Sequence, residues 1–162
     1  MSSSPFGSSG LDVARFWAVI GTSAVRDSGE VASALYDVSS RLATLALGDL
    51  TGFVERLHEA LFHLDRKIFA QIPVVLRGVE FAQTGDHFLY ARCACILAGE
   101  EVYVEVLRSG VGFTPFVSPS VQSAEGLLYV ASKRYEEKAG ASMDTTKFLS
   151  VESMSNVDGW AG

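Results

Sequence analysis

Cysteine, histidine, proline and surplus positive charge are all scarce in this chain, and each scarcity removes a class of function. Its 162 residues include 2 cysteines, 4 prolines and 3 histidines. Cys93 and Cys95 alone supply neither a disulfide framework nor a four-ligand zinc site. On a helix they would lie about 200° apart around the axis, which does not suit a mutual disulfide. Lys and Arg number 13 against 19 Asp and Glu, a formal net charge of −6. That balance argues against nucleic acid, whose binders neutralise phosphates, and against docking on an anionic membrane. No apolar run reaches the roughly 18 residues of a spanning helix. The nearest candidate, residues 68–82, is interrupted by Gln71, Pro73, Arg77 and Glu80. The Ser- and Gly-rich first ten residues carry no basic residue and no apolar centre, so they do not read as a secretory signal. The expected location is cytoplasmic.

What the chain has in quantity is apolar side chains. Hydrophobic residues make up 48%, with 10 Phe, 5 Tyr and 2 Trp, and the mean hydropathy is +0.24. A chain of this length folds as one domain and buries roughly 70% of the surface its unfolded form exposes. The apolar surplus points to a pocket or a subunit interface.

The apolar residues recur at helical spacing. Val13, Phe16, Trp17, Ile20 and Ala24 form a first stripe. Val31, Leu35, Val38, Leu42 and Leu45 form a second, ended by Gly48. Asp49 can cap a third helix striped by Val54, Leu57, Leu61, Leu64 and Ile68, which Pro73 interrupts or kinks. A short apolar stretch, residues 74–81, follows. Asp86 is a credible N-cap for a helix over 87–97, closed by Gly99. Residues 101–107 favour a strand by propensity, yet one short strand has no evident partner, so helix is the reading. A loop over 110–119 leads to a last helix capped by Ser123, bearing Leu127, Leu128, Ala131 and Tyr135 and ended by Gly140. The expectation is an all-α, single-domain bundle of about six helices over residues 11–140. It has a mobile leader over 1–10 and a mobile tail over 141–162. Phe148, Leu149, Val151 and Trp160 give that tail a means of folding back. The stripes of helices two and three could also continue into a second copy, so a homodimer is compatible with the pattern.

Several patterns suggest chemistry and then fail its geometric demands. His58-Glu59 with His63 evokes a zinc-protease helix, but that chemistry needs histidines at i and i+4, and here the spacing is i+5. Gly110-Val-Gly112 has no following Lys-Ser/Thr and reads as loop punctuation. Cys93, flanked by Ala91, Ala94 and Ile96, reads as a packed thiol rather than a nucleophile. No cofactor and no metal is implied. The densest polar cluster runs from Thr84 to Arg92. Asp86, His87, Tyr90 and Arg92 are the candidate site residues, able in principle to supply acid–base groups and an anion clamp. The competing reading is an N-cap aspartate, a solvated histidine and an arginine paired with a neighbouring helix such as the one carrying Glu136 and Glu137.

Four stretches taken together resemble a small bacterial family of uncharacterised proteins, domain of unknown function 4240. They are Phe16-Trp17-Ala18-Val19-Ile20; Phe53-x4-His58-x2-Leu61; Asp86-x-Phe88-x-Tyr90-x-Arg92-x3-Ile96-x2-Gly99; and Leu127-Leu128-Tyr129-Val130-Ala131-x3-Tyr135-Glu136-Glu137-Lys138-x-Gly140. The resemblance spans residues 11–140 and implies a compact helical domain without implying an activity. It also marks a departure. Gly85 stands at one of two acidic positions of the family's motif, the motif cysteine is absent, and Ala94 falls near the family's tryptophan. Two functional expectations follow. One is a non-catalytic binding or interaction protein, its partner another protein or a hydrophobic small molecule. The other is a cofactor-free enzyme acting on a hydrophobic metabolite between helices.

Overall fold

The structure, a computed structural model, describes residues 11–161; the leader read over 1–10 lies outside them. Helices α1 (Val13–Ile20), α2 (Ser28–Leu42) and α3 (Leu47–Leu64) come first. After the short α4 (Lys67–Ala70), strands β1 (Val74–Leu76) and β2 (Val79–Phe81) form a hairpin. Then follow α5 (Gly85–Leu97), α6 (Glu100–Ser109), two 3-10 segments (Thr114–Val117 and Pro119–Leu128), α7 (Val130–Ala139) and a final turn, α8 (Val157–Trp160). The architecture is compact and mostly α-helical, as the apolar periodicity predicts.

Local chemistry sets the helix starts. Asp12 accepts the Arg15 N–H at 2.8 Å and opens α1. Asp27 does the same for Glu30 at 2.9 Å in α2. Each satisfies an N–H that the helix itself leaves unpaired. Two predicted caps differ. Thr84, not Asp86, caps α5 by accepting the His87 N–H at 3.0 Å, and Asp86 sits in the first turn, where a negative charge suits the helix dipole. Asp49 likewise lies inside the first turn of α3 and pairs with Arg15 at 3.3 Å. Ser123 caps nothing, because the chain from Pro119 to Leu128 winds as 3-10 helix and α7 begins only at Val130.

Helix α5 is the axis of the core. From Ala91 to Ala98 every residue is buried, so the helix is enclosed on all sides. It packs most extensively on the Pro119–Leu128 segment and also meets α3, α6 and Thr114–Val117. The predicted stripes of α2 and α3 are consumed inside this core: Val31, Val38, Leu42, Val54, Leu57, Leu61 and Leu64 are all buried. Leu35 and Leu45, from the same stripe of α2, are only partly buried. Helix α3 stops at Leu64, short of the expected Ile68, which is exposed. Within the stretch 74–81, Arg77 and Gly78 have φ of 52° and 77°. Two consecutive left-handed residues make the tight hairpin turn that an all-α reading does not contain.

The segment after Gly140 does not stand off from the body. Met143, Phe148, Val151 and Trp160 pack against the core, the folding back that Phe148, Val151 and Trp160 make possible.

At the α5–α6 corner the backbone of Gly99 (φ 112°) passes the end of α1. A Cβ there would meet Thr22 Oγ1 at 2.9 Å and the Gly21 carbonyl oxygen at 3.0 Å. Gly140 also has positive φ (70°), but nothing stands near its missing Cβ. Gly99→Ala is expected to lower the unfolding free energy by about 2–3 kcal/mol and Gly140→Ala by about 1 kcal/mol, since only the first adds a clash to the backbone penalty. Urea denaturation of the two variants measures the difference.

Candidate functional site

The structure takes the four predicted site residues in different directions. Asp86 is exposed and Tyr90 lies one turn beyond it on the same face. Desolvation, followed by the charges of Asp86 and Glu125, pushes the Tyr90 phenol above its ordinary pKa. His87 turns away: its Nε2 lies 2.7 Å from the Val117 carbonyl oxygen, and its own carbonyl accepts from Gln122 Nε2 at 3.2 Å. Arg92 is fully buried. Its guanidinium donates from Nη1 to the Leu61 carbonyl and from Nη2 to the Val151 carbonyl, both at 3.0 Å, and stands 4.5 Å over the Phe88 ring. Its partners are therefore not Glu136 or Glu137 on α7. Asp86 and Tyr90 come together; His87 and Arg92 serve the scaffold.

Arg92 belongs to a polar clasp whose other charged member is Asp65, at the end of α3 and also 0% exposed. The Asp65 carboxylate accepts from the Met154 N–H at 3.1 Å and the Trp160 indole N–H at 2.8 Å on one oxygen. On the other it accepts from the Asn156 N–H at 2.9 Å. Met154 takes a left-handed φ of 70°, and its N–H and that of Asn156 turn to the carboxylate while the Ser155 N–H between them donates to the Glu152 carbonyl at 3.3 Å. Gly159 passes so close that a Cβ would sit 2.7 Å from the Asp65 carbonyl oxygen. Burial lowers the pKa of Arg92, and the charge of Asp65 opposes that shift. The clasp thus binds residues 151–160 across α3 and α5. Asp65 has no motif to announce it, because its partners lie about ninety residues away.

The remaining sequence patterns also resolve. His58 Nδ1 lies 2.9 Å from the Leu149 carbonyl oxygen, and its ring meets Phe148 edge-on at 5.6 Å. His63 is exposed on another side of α3. Among the described residues no three His, Cys, Asp or Glu side chains gather so as to hold a metal ion. Cys93 and Cys95 are free and buried, and desolvation pushes both thiols up to about 12. Gly110 and Gly112, with φ of 73° and 92°, form the turn after α6.

Two further surface features of the described residues bear on binding. A pocket of about 240 Å³ opens between α1, α3 and α6, with Trp17, Tyr103, Arg56, Glu59 and His63 among its lining residues. Spacings of three and four place Arg56, Glu59 and His63 on one face of α3. This grouping is readable in the sequence, but the cues there drew attention to the zinc-like pattern instead. The second feature is the hairpin. Val74 pairs with Phe81 and Leu76 with Val79, so all four share one face; Val75 and Glu80 occupy the other. Val74 is buried, whereas Leu76, Val79 and Phe81 are 51%, 53% and 53% exposed.

The family model described as a protein of unknown function (DUF4240) matches residues 11–137. The chain belongs to the DUF4240 family. No curated protein and no solved structure matches it. In this DUF4240 protein both charged residues of the clasp, Asp65 and Arg92, lie within the matched segment, while the chain they hold, 151–160, lies beyond it. At the departure from the family motif, Gly85 opens α5 and its missing Cβ would stand 3.8 Å from Ser153 Oγ, in the clasped tail. No described helix is long and apolar enough to cross a membrane.

The His58 contact makes the tail sensitive to pH. Burial lowers the pKa of this imidazole below 6.5, and the hydrogen bond to Leu149 only partly offsets that. The folded state therefore binds fewer protons than the unfolded state. The stabilising contribution is present above pH 6.5 and lost as pH falls toward the folded-state pKa. An NMR titration of the His58 ring should give a midpoint below 6.5, with tail resonances broadening or moving through the same transition. A midpoint above 6.5 would reverse the sign.

Proposed function

We propose that this DUF4240 protein is a non-catalytic interaction module of the cytoplasm and that its contact surface is the β1–β2 hairpin. The observation that carries this reading is the apolar face of Leu76, Val79 and Phe81, half-exposed on a hairpin whose Val74 is buried and whose base is tied by Gln83 Nε2 to the Phe69, Ala70 and Ile72 carbonyls. An exposed apolar cluster of this kind marks an interaction site more often than an accident of composition. The groups that would serve acid–base chemistry support the same reading. His87 and Arg92 are engaged by carbonyls, and neither they nor Asp86 and Tyr90 line the pocket between α1, α3 and α6.

The partner is a protein that offers an extended segment with alternating apolar residues. Each strand of the two-stranded sheet is paired along one edge only, so an added strand would gain main-chain hydrogen bonds while its side chains meet Leu76, Val79 and Phe81. Three side chains fall far short of the roughly 800 Å² per partner that a stable protein dimer buries. A peptide-like segment therefore fits better than a second copy. The test is quantitative affinity capture with wild type and with Leu76→Thr/Val79→Thr/Phe81→Thr, which keeps strand propensity and removes the apolar face. A stoichiometric partner that disappears with the triple variant, while its circular dichroism is unchanged, is the expected result. Equal recovery of that partner by the triple variant, or a wild-type self-dimer abolished by it, would overturn the assignment.

A further inference from the structure

The pocket between α1, α3 and α6 is remote in role from the hairpin and has a charge arrangement of its own. Arg56 Nη2 stands 3.1 Å from Glu55 Oε1 and 3.1 Å from Glu59 Oε2. Both carboxylates thus approach the same guanidinium nitrogen, and of the two only Glu59 lines the pocket, beside Arg56 and His63. Glu59 uses Oε2 for this pair, and its Oε1 takes no part in it. The Arg56 side chain is only 19% exposed, so it is held between its carboxylates and not extended toward solvent.

The inner wall is aromatic. The Trp17 and Tyr103 rings lie 4.9 Å apart at 47°, and Phe16 meets Trp17 edge-on at 4.9 Å. The Tyr103 hydroxyl donates to the Ala60 carbonyl at 3.0 Å, which fixes that ring and removes its polar end from ligand binding. Val13, more than half exposed, supplies an apolar lip. Aromatic faces beside a carboxylate attract cations, with indole the best of the rings. The Arg56 Nε is buried without a hydrogen-bond partner, and an anion entering the pocket would meet the guanidinium beside the Glu59 carboxylate already paired with it. The chain's net charge of −6 adds a long-range attraction of the same sign. The volume, about 240 Å³, lies just below the range of about 300–1,000 Å³ for drug-sized ligands, which limits the guest to one ring or a short chain.

We propose that this pocket binds a small organic cation, an ammonium on an apolar or aromatic body, with its head at Glu59 and its body against Trp17 and Tyr103. The test uses two probes that share a phenyl body and differ in charge: phenethylammonium and phenylacetate. Each is titrated into the full chain while the two indole N–H resonances are followed by NMR. Phenethylammonium is expected to shift the Trp17 indole saturably, with a Kd of about 1 mM, and to leave the Trp160 indole in place. Phenylacetate is expected to leave both unmoved. Glu59→Gln, on the exposed face of α3, should weaken phenethylammonium about tenfold while the Trp160 resonance reports an intact fold. Absence of saturable binding, equal or tighter binding of phenylacetate, or an unchanged affinity in Glu59→Gln would each overturn the proposal. None of these outcomes depends on the hairpin.

Discussion

A guanidinium and a carboxylate, each without exposure to water, sit in the core of a domain otherwise filled by apolar side chains. Removing an ion from water carries a penalty of several kcal/mol even after the protein relaxes around it. Arg92 and Asp65 offset that penalty through hydrogen bonds rather than through direct pairing. Arg92 donates to carbonyls of α3 and of the tail, and Asp65 receives two backbone amides and an indole N–H from the tail. Every one of these contacts except Arg92 to Leu61 joins the body to residues 151–160. The domain therefore closes only when its last segment docks, and the conformations of Met154 and Gly159 follow from that closure. Phe88 completes the arrangement, with the Arg92 guanidinium 4.5 Å from its ring centre and Trp160 edge-on at 6.4 Å.

This constraint decides what remains for function. An arginine with no exposure to water, whose Nη1 and Nη2 already meet carbonyls while its Nε lies buried without a partner, is unsuited to clamping a substrate anion, and His87 is held against Val117. Surfaces left unclaimed lie away from the clasp. The hairpin carries unpaired edges and an apolar face. The pocket beyond α3 carries aromatic walls and the Glu59 carboxylate. Both are binding features, and both sit on elements braced by the core: α3 lies between the clasp and the pocket, and the hairpin is rooted through Val74.

Legibility in the sequence follows the range of the interaction. Periodicity places α1, α2 and α3, because each stripe is a local consequence of burying one face. Helix α5, enclosed on all sides, is marked instead by the polar residues at its start and Gly99 beyond its end, and only the second half of the last predicted helix is α7. Helix α6 is legible as well, despite the β-branched residues Val102, Val104 and Val106, because no partner strand stands beside it. The hairpin is hidden by its shortness: strands of three residues give no periodic signal, and only the Arg77–Gly78 turn marks it. The role of Arg92 is hidden for a different reason. Its neighbours in sequence suggest a polar cluster, whereas its partners are carbonyls 31 and 59 residues away. Asp65 is harder still, since a lone aspartate at a helix end normally reads as solvated. The docking of the tail depends on both and is a tertiary fact. The pocket face Arg56, Glu59 and His63 lies between these extremes, present as helical spacing but masked by the adjacent His58.

Native-state hydrogen exchange on Asp65→Asn tests the central claim most directly. If the buried carboxylate holds the tail, the Met154 and Asn156 amides and the Trp160 indole should lose protection by about a hundredfold, consistent with roughly 3 kcal/mol for an uncompensated buried charge. Amides inside α3 and α5, such as those of Leu57 and Ala94, should remain more protected than the tail. Tail amides that keep wild-type protection in Asp65→Asn, or that exchange only together with those of Leu57 and Ala94, would contradict the account.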